Sequence, residues 1–481
     1  MTSLRVLKFG GSSVGAADRL VRVTDLILRE AALGPIAVVV SAMGDTTDWL
    51  IDAATAAARG DTLAADALVD RIASLAIDTG TGALHELLRR HAAPVSEAAQ
   101  SPEPTATPDL PAQVAALLTP LRQVLTGVGL LRQCTPQTQD LVLSFGERLS
   151  AGILASLLPV ARQPAVFVDA RDWLVTDDRF GAALVDLAAT QARLNDLRPA
   201  WGSAVSVHTG FLGATPDGRS TTLGRNGSDY TATLLAAALG AAEVQIWTDV
   251  PGVMTGDPTI LRDAYPIARM SYQEALELAN FGARMFHPRT MVPLTQHKIV
   301  LRIRSTMDPD ADGTRIDEHG ADAAGPTCVT SLENLALLDV RWRRISHEAG
   351  VGARVLRALE QAGVTVWMAN QAAHGQAVAV VIPQDAAARA SAAIDAELAL
   401  ERARGEVDSP GVRAPITLLT LVAERMDPRN AAAQFFRALG QVGVPVRAIA
   451  QGMSSRSISC AIDGGETALA VRTVHAAFNF A

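Results

Sequence analysis

Residues 4–14 read Leu-Arg-Val-Leu-Lys-Phe-Gly-Gly-Ser-Ser-Val, an apolar run that stops at a lysine, two glycines and two hydroxyls. Residues 4–9 read as a short buried strand, and a helical pattern follows to about residue 29. Adjacent glycines after a strand let the backbone approach a phosphate closely, and the helix that follows offers amide donors to the anion. Lys8 at the strand end sets a compact positive charge beside that cradle. A Gly-Gly turn alone is usually structural; the combination with Lys8, Ser12 and Ser13 is far more specific.

The same grammar recurs outward from this point. Residues 36–40 form a second apolar run that ends in Ser41-Ala42-Met43-Gly44, again strand followed by loop. Residues 45–128 read as helical and alanine-rich, interrupted over 93–112 by a Pro/Ser/Thr/Glu-biased loop, and residues 144–158 read as an amphipathic helix. Residues 164–168, 204–209 and 244–248 are further strands. Strands alternating with helices, each strand ending in small polar residues, predict an α/β domain with a mostly parallel sheet. Ligands of such sheets bind beyond the carboxyl ends of the strands.

From about residue 331 the units shorten. Strand, helix, strand, strand and helix are expected at 335–340, 350–361, 364–368, 377–382 and 386–398. The order returns at 416–422, 430–442, 445–449, 457–462 and 465–475. Two β-α-β-β-α copies of about 70 residues each predict paired ferredoxin-like modules. Leu-Glu-Gln-Ala-Gly-Val-Thr-Val ahead of Gln371 is mirrored by Leu-Gly-Gln-Val-Gly-Val-Pro-Val ahead of Gln451. The boundaries read as residues 1–310 for the α/β domain, 311–330 for a linker, and 331–405 and 413–481 for the two modules.

Composition sets the outer limits. The chain has 481 residues, too many for one compact core, with 49% hydrophobic and 19% charged residues. A net charge of −8 without a clustered basic face argues against nucleic acid as a partner. Cys134, Cys328 and Cys460 lie far apart without metal-ligand spacing, and the nine histidines show none either, so no metal site is expected in the protein itself. No leader and no apolar stretch of membrane-spanning length stands out, so a cytoplasmic protein without a membrane partner is expected. Of the 42 basic residues only Lys8 and Lys298 are lysine. A lysine kept against so strong an arginine bias points, at Lys8, to a site that wants an ammonium rather than a planar fork.

Three more segments carry candidate chemistry. Thr221-Thr222-Leu223-Gly224-Arg225-Asn226-Gly227-Ser228-Asp229-Tyr230 opens a helix. Arg225 there can clamp a carboxylate, and Asp229 can orient cationic groups around a phosphoryl; Ser228 or Asp229 can equally serve as a plain helix cap. In Ser144-Phe145-Gly146-Glu147-Arg148, Glu147 is expected in the first helical turn, where acids are common for the dipole alone. Trp247-Thr248-Asp249-Val250-Pro251-Gly252-Val253-Met254-Thr255-Gly256-Asp257-Pro258 is a strand and a turn-rich loop with two acids, suited to a nucleotide base and ribose.

Together these segments resemble the aspartate kinases of the amino-acid kinase superfamily, the threonine-sensitive ones above all. The likeness continues through Ser-Tyr-Gln-Glu-Ala at 271–275, Phe-Gly-Ala at 281–283, His287-Pro288, Ala-Ile-Ala-Gln-Gly at 448–452 and Ser-Ser-Arg-Ser-Ile-Ser at 454–459, so it covers essentially the whole chain. The resemblance implies an amino-acid kinase fold, an αβα sandwich, followed by two ACT domains. It implies an ATP- and Mg²⁺-dependent transfer to the β-carboxylate of L-aspartate, the first step toward lysine, threonine and methionine. It assigns Lys8, Gly10, Gly11 and Ser12 to the ATP phosphates. Arg225 falls to the substrate α-carboxylate, Glu147 to its ammonium, and Ser41, Thr47 and Ser228 to the substrate. Asp229 orients the cations; Thr248, Asp249, Asp257 and Arg284 lie along the nucleotide. Gln371 and Gln451 would contact a threonine or lysine effector, and the ACT domains would build a homodimer or tetramer.

Where relatives carry Tyr, a cation after Asp-Pro, and Lys after Phe-Gly-Ala, this chain has Met254, Thr259 and Arg284. Around Gln371 a more polar run is replaced by Ala372, Ala373, His374 and Gly375. Relatives that continue into a homoserine dehydrogenase do so beyond the position of Ala481, so that activity is not expected. A substrate carboxylate with pKa of about 4 is already ionised at neutral pH, so the reaction needs positioning and charge neutralisation rather than a general base. The alternatives are a kinase for another amino acid in a specialised pathway and a catalytically weak amino-acid sensor.

Overall fold

The structure, a computed structural model, describes residues 3–91, 107–281, 287–320, 325–342, 350–371, 377–426, 430–451, 456–478 and 480. The chain divides into two compact units, Met1–Gly252 with Phe286–Glu318, and Val253–Met285 with His319–Ala481.

In the first unit the chain runs β1 (Arg5–Phe9), α1 (Gly11–Val14), α2 (Ala17–Leu33), β2 (Ile36–Val40), α3 (Thr46–Arg59), α4 (Thr62–His91), α5 (Leu110–Leu131), α6 (Pro136–Leu157), β3 (Ala165–Val168), α7 (Leu187–Leu197) and β4 (Val205–Thr209). The hairpin β5 (Leu212–Ala214) and β6 (Ser220–Thr222), α8 (Gly227–Leu239) and β7 (Glu243–Thr248) follow. After β8 (Arg269–Ser271) and α9 (Tyr272–Asn280), which cluster with the second unit, the first unit resumes with α10 (Pro288–His297), β9 (Val300–Ser305) and β10 (Thr314–Asp317).

Its strands lie in the order β3-β4-β2-β1-β7-β9-β10, all parallel up to β9, with β10 antiparallel. Buried strands read as near-continuous apolar runs when both faces are covered, which is why β1, with Val6, Leu7 and Phe9, and the Val-rich β2 were legible. The register sets Phe9 beside Val40 on one side and Trp247 on the other. From β1 the chain steps to β2, whereas from β7 it proceeds to β9 on the opposite side; the order therefore reverses between β1 and β7, and it is beyond the carboxyl ends at such a switch point that sheets of this kind bind ligands.

The helical expectation over 45–128 resolves into α3, α4 and α5, and part of the expected 93–112 loop lies outside the described residues. Two corrections concern helices. The segment after Gly10 is split into α1 and α2, because Gly15 packs against the 42–44 loop and the chain turns there. The second concerns membrane length: α5 is by length and composition apolar enough to cross a membrane. Its stripe Leu110, Val114, Leu118, Leu121, Leu125 and Val128 is buried in the core, while Arg122 pairs with Asp66 and Asp70 on the outside.

One face of the sheet carries a buried polar network. Glu30 of α2, 2% exposed, pairs with Arg5 of β1 and with Arg304 of β9 at 3.2 Å. Arg304 lies 4.5 Å from the Trp247 ring centroid, and Trp247 stacks on Phe9 with centroids 6.2 Å apart. Arg302 pairs with Glu243 at 2.9 Å on the same strand pair.

In the second unit β11 (Pro326–Arg341), α11 (Val351–Gln361), β12 (Met368–Gln371), β13 (Ala377–Pro383) and α12 (Ala387–Glu397) form one module, with α13 (Ala399–Ala403) after it. The second comprises β14 (Gly411–Ala423), α14 (Ala431–Gln441), β15 (Val446–Gln451), β16 (Ser457–Asp463) and α15 (Thr467–Phe478). The predicted repeat is present down to hydrogen bonds: Val364 N donates to Leu359 O at 2.9 Å, and Val444 N to Leu439 O at 3.1 Å. The modules fuse through β11 and β14 into one antiparallel sheet, β12-β13-β11-β14-β16-β15. The outer strands approach each other, Asn370 Nδ2 donating to Ile449 O at 2.8 Å. The sheet thus curls around Leu335, Met368, Val381, Ile416, Leu418 and Ala461.

Replacing Glu30 by alanine leaves two largely buried guanidinium groups without their shared carboxylate. The expected loss is about 3–5 kcal/mol of unfolding free energy, read from the urea midpoint of the first unit by tryptophan fluorescence; a loss below about 1 kcal/mol would contradict it.

Candidate active site

At the carboxyl end of β1 the last two side chains point to opposite faces, as a strand requires. Phe9 enters the Trp247–Arg304 network, and Lys8 faces α8. Lys8 Nζ lies 2.6 Å from Asp229 Oδ1 in the first turn of α8, with the two residues 9% and 6% exposed. The lysine and acid selected separately from sequence thus form one nearly buried ion pair. Asn226, in the left-handed conformation at φ 54°, precedes α8 and places no side-chain cap on it.

Beside Lys8 the chain turns at Gly10 and Gly11. A Cβ on Gly11 would sit 2.5 Å from Ala42 O, and Gly44 N donates to Gly11 O at 3.1 Å. Only a glycine lets the two strand-end loops touch there. Ser41 N donates to Phe9 O at 3.1 Å, which brings the 41–47 loop into the same corner. Thr47 lies half-buried in the first turn of α3, Ser12 is exposed, and Ser228 is buried.

Glu147 departs from expectation. It belongs to the middle of α6, which starts at Pro136 with Thr135 as cap, and α6 is buried around most of its circumference from Val142 to Leu157 rather than amphipathic. Thr135-Pro136 is the start signal that was passed over. The helix dipole therefore gives no reason for this acid. The carboxyl is 3% exposed and has no partner for Oε2 among the described residues. Burial pushes it up to about 8, against the lowering effects of the Ala42 amide and the Lys8 charge. A turn further on, Ser150 Oγ donates to Ser41 O at 2.6 Å.

Arg225 is exposed on the loop ahead of α8. Burial first, then the charges of Arg289 and Arg225, hold the His287 imidazole below its ordinary value, which marks Arg225, His287 and Arg289 as neighbours. At the carboxyl end of the neighbouring strand, Thr248 closes β7 and Asp249 follows it; Thr248 Oγ1 donates to Asp249 Oδ1 at 3.1 Å and Thr248 O accepts from Thr306 N at 2.8 Å.

Lys8, Gly10, Gly11, Ser12, Ser41, Thr47, Glu147, Arg225, Ser228, Asp229, Thr248 and Asp249 all belong to the first unit. Asp257, Met254 and Thr259 belong to the second, where Asp257 accepts the amide and hydroxyl of Thr259 at 2.8 and 2.7 Å. Gln371 and Gln451 end the outer strands β12 and β15 of that unit, both exposed, and the Gln371 carboxamide lies over Gly352 in the first turn of α11. Arg284 and residues 372–375 lie outside the described residues. Sequence reasoning passed over Asp140, a buried acid of α6 seven residues before Glu147. That spacing, nearly two helical turns, was the available signal. Among the described residues no group of three or more His, Cys, Asp or Glu side chains comes together as a metal cage.

The model of the amino acid kinase family matches residues 3–305, and that of an ACT domain residues 420–478. The chain is 32% identical over 491 residues to aspartokinase 1, chloroplastic, of Arabidopsis thaliana, covering 98% of this chain and 80% of that protein. It is 30% identical over 484 residues to the bifunctional aspartokinase/homoserine dehydrogenase 1, chloroplastic, of Zea mays, covering 98% of this chain and 50% of that one. The chain thus spans about half the length of such bifunctional relatives. Among solved structures, E. coli aspartokinase III in complex with aspartate and ADP, in its R-state, matches with TM-score 0.80 at 27% identity, covering 98% of this chain and 99% of that one. The same enzyme with lysine and aspartate, in its T-state, matches with TM-score 0.73 at 26% identity, covering 99% of this chain and 100% of that one.

Because the Glu147 carboxyl is held near 8 when folded and titrates at about 4.5 when unfolded, the folded state keeps a proton that the unfolded state loses. Native stability should fall as pH rises from about 4.5 to 8 and level off above it. Glu147→Gln, which has no proton to lose, should gain on the unaltered chain across that window in paired thermal melts; a constant difference would refute the buried neutral carboxyl.

Proposed function

Because the chain belongs to the aspartokinases of the amino acid kinase family, we propose that it transfers the γ-phosphate of ATP to the β-carboxylate of L-aspartate, giving 4-phospho-L-aspartate and ADP. The observation that carries this reading is the Lys8–Asp229 pair, 2.6 Å apart beside the Gly10-Gly11 turn, at the carboxyl edge where the strand order reverses.

The β-carboxylate of aspartate is ionised at neutral pH, and one of its oxygens attacks the γ-phosphorus as the bond to the bridging oxygen of ADP breaks. No proton has to be removed, which fits a site whose acids are placed for charge. The Lys8 ammonium has three donors, so it can stay on Asp229 while contacting the transferring phosphoryl. The Gly10-Gly11 backbone and Ser12 hold the phosphate chain, and Thr248 and Asp249 lie along the nucleoside on the β7 side. Arg225 takes the α-carboxylate in its planar fork, Glu147 takes the ammonium on its unpartnered oxygen, and Ser41, Thr47 and Ser228 complete the grip. Mg²⁺, which prefers phosphate oxygens and water with at most one or two carboxylates, would arrive on the ATP and neutralise its charge there.

We assign the second unit to regulation. Gln371 and Gln451 at matched strand ends are the contacts offered to lysine or threonine. Lysine is the compound found with E. coli aspartokinase III in its T-state structure. A homodimer through the ACT domains, extending to a tetramer, is the assembly proposed. The cytoplasm is the compartment that fits three unpaired cysteines.

An ATP-dependent hydroxamate assay against a panel of amino acids tests the reading, with L-aspartate expected as the preferred acceptor. Lys8→Met should lower kcat by about 100-fold or more, as loss of one transition-state donor does. Arg225→Ala should instead raise the KM for aspartate by about 30-fold or more, the scale of a charge-assisted pair. Turnover of a different amino acid alone would point to another kinase, and none at all to an amino-acid sensor.

A further inference from the structure

We propose that Asp140 is a positioning residue for substrate recognition, its carboxylate clasping the two chain segments that together set the course of the backbone into Arg225. The inference deepens the reading above and rests on it.

Asp140 is 1% exposed, near the start of α6. Its Oδ2 accepts the amide of Gly181 at 2.9 Å and the amide of Thr222 at 2.9 Å, and its Oδ1 accepts the Thr222 hydroxyl at 2.9 Å. Burial holds this carboxyl above its ordinary value, and those same donors offset the rise only in part. The two segments are also joined to each other. Ala183 N donates to Thr222 O at 2.9 Å, and a Cβ on Gly224 would lie 3.2 Å from Gly181 O. Gly224 turns at φ +78°, a conformation other residues rarely adopt, and the next residue is Arg225. One carboxylate therefore fixes the floor, the flank and the entry angle of the Arg225 loop.

Two helical turns along the same helix lies the buried Glu147, and Ser150 Oγ a turn further on donates to Ser41 O. Residues seven apart on an α-helix share a face, about 10 Å apart along the axis. Helix α6 thus holds one side of the amino-acid grip directly through Glu147 and the other at one remove through Asp140. A buried helix is a stiff spacer, so the separation of the two anchoring points is set by α6 rather than by either loop. The β1–β7 switch point proposed for the nucleotide lies on other elements, so the effect should be specific to the amino acid.

The test uses the full-length chain and three variants. Asp140→Ala removes all three hydrogen bonds. Asp140→Asn restores them, because its carbonyl accepts both amides while its NH₂ donates to the Thr222 hydroxyl, which turns round. Thr222→Val removes one bond at constant volume. Asp140→Ala should raise the KM for aspartate by about 20-fold while the KM for ATP moves by no more than about threefold, with Asp140→Asn returning to within about threefold of the unaltered chain and Thr222→Val falling between. A common shift of both KM values, an unmoved aspartate KM, or an Asn variant as impaired as the Ala variant overturns the proposal. If Asp140→Ala does not fold, Thr222→Val decides by the same criterion. Absence of aspartate turnover in the unaltered chain sinks the functional reading and this inference with it; turnover with unmoved KM values sinks the inference alone.

Discussion

The pairing of Lys8 with Asp229 is the constraint on which the first unit depends. Neither charge can be left alone at this depth, since desolvating a single ion costs several kcal/mol and the pair offsets it only at close range. The 2.6 Å contact satisfies that condition and ties the carboxyl end of β1 to the first turn of α8. Asp229 gains further from the positive end of that helix. One residue later, Phe9 is fastened on the opposite face through Trp247 and Arg304 to Glu30. The Gly10-Gly11 turn therefore hangs from a strand anchored on both faces, which is what the proposed phosphate cradle would need if its donors are not to be reorganised at each turnover.

The sequence was most legible where one physical cause dominated. Doubly covered strands announce themselves as apolar runs, so β1, β2, β4 and β7 were found within a residue or so, and the repeated modules showed because the same chain chemistry returned. Strand β9 was missed because its alternation, Val-Leu-Arg-Ile-Arg-Ser, has arginines on a face that is buried by ion pairing with Glu30 and Glu243. Periodicity reports hydrophobicity, and a buried salt network is invisible to it. Glu147 was placed in a first turn because the apolar pattern of α6 begins around Val142, whereas the helix itself begins at the Thr135-Pro136 signal. The assignment of residues 253–285 to the second unit is a matter of contacts, including Leu261 within the core of the second module, and leaves no mark in composition.

In the second unit the repeat has a consequence that neither copy carries alone. Fusing two three-stranded modules edge to edge leaves β12 and β15 as outer strands, and curling brings them within hydrogen-bond reach through Asn370. Exposed edges invite unwanted pairing, and approach of the two outer strands limits how much edge is free. Gln371 and Gln451 end those two strands, so each proposed effector contact is placed on the element with the fewest neighbours in its sheet. Such elements sit at the low end of local stability and shift at least cost when a ligand binds.

Glu147 supplies the reason the proposed substrate class should be amino acids rather than dicarboxylates in general. A carboxyl held near 8 by burial is largely protonated at neutral pH, and ionising it needs a compensating positive charge within the pocket. Lys8 is near enough to lower its pKa but is committed to Asp229. An incoming ammonium meets the requirement, because it brings both a charge and donors for the oxygen that has none. A dicarboxylate without the amino group would bring no cation to stabilise the ionised form of this acid. Under the proposed function, the amino group is favoured by the same burial that makes Glu147 costly to ionise.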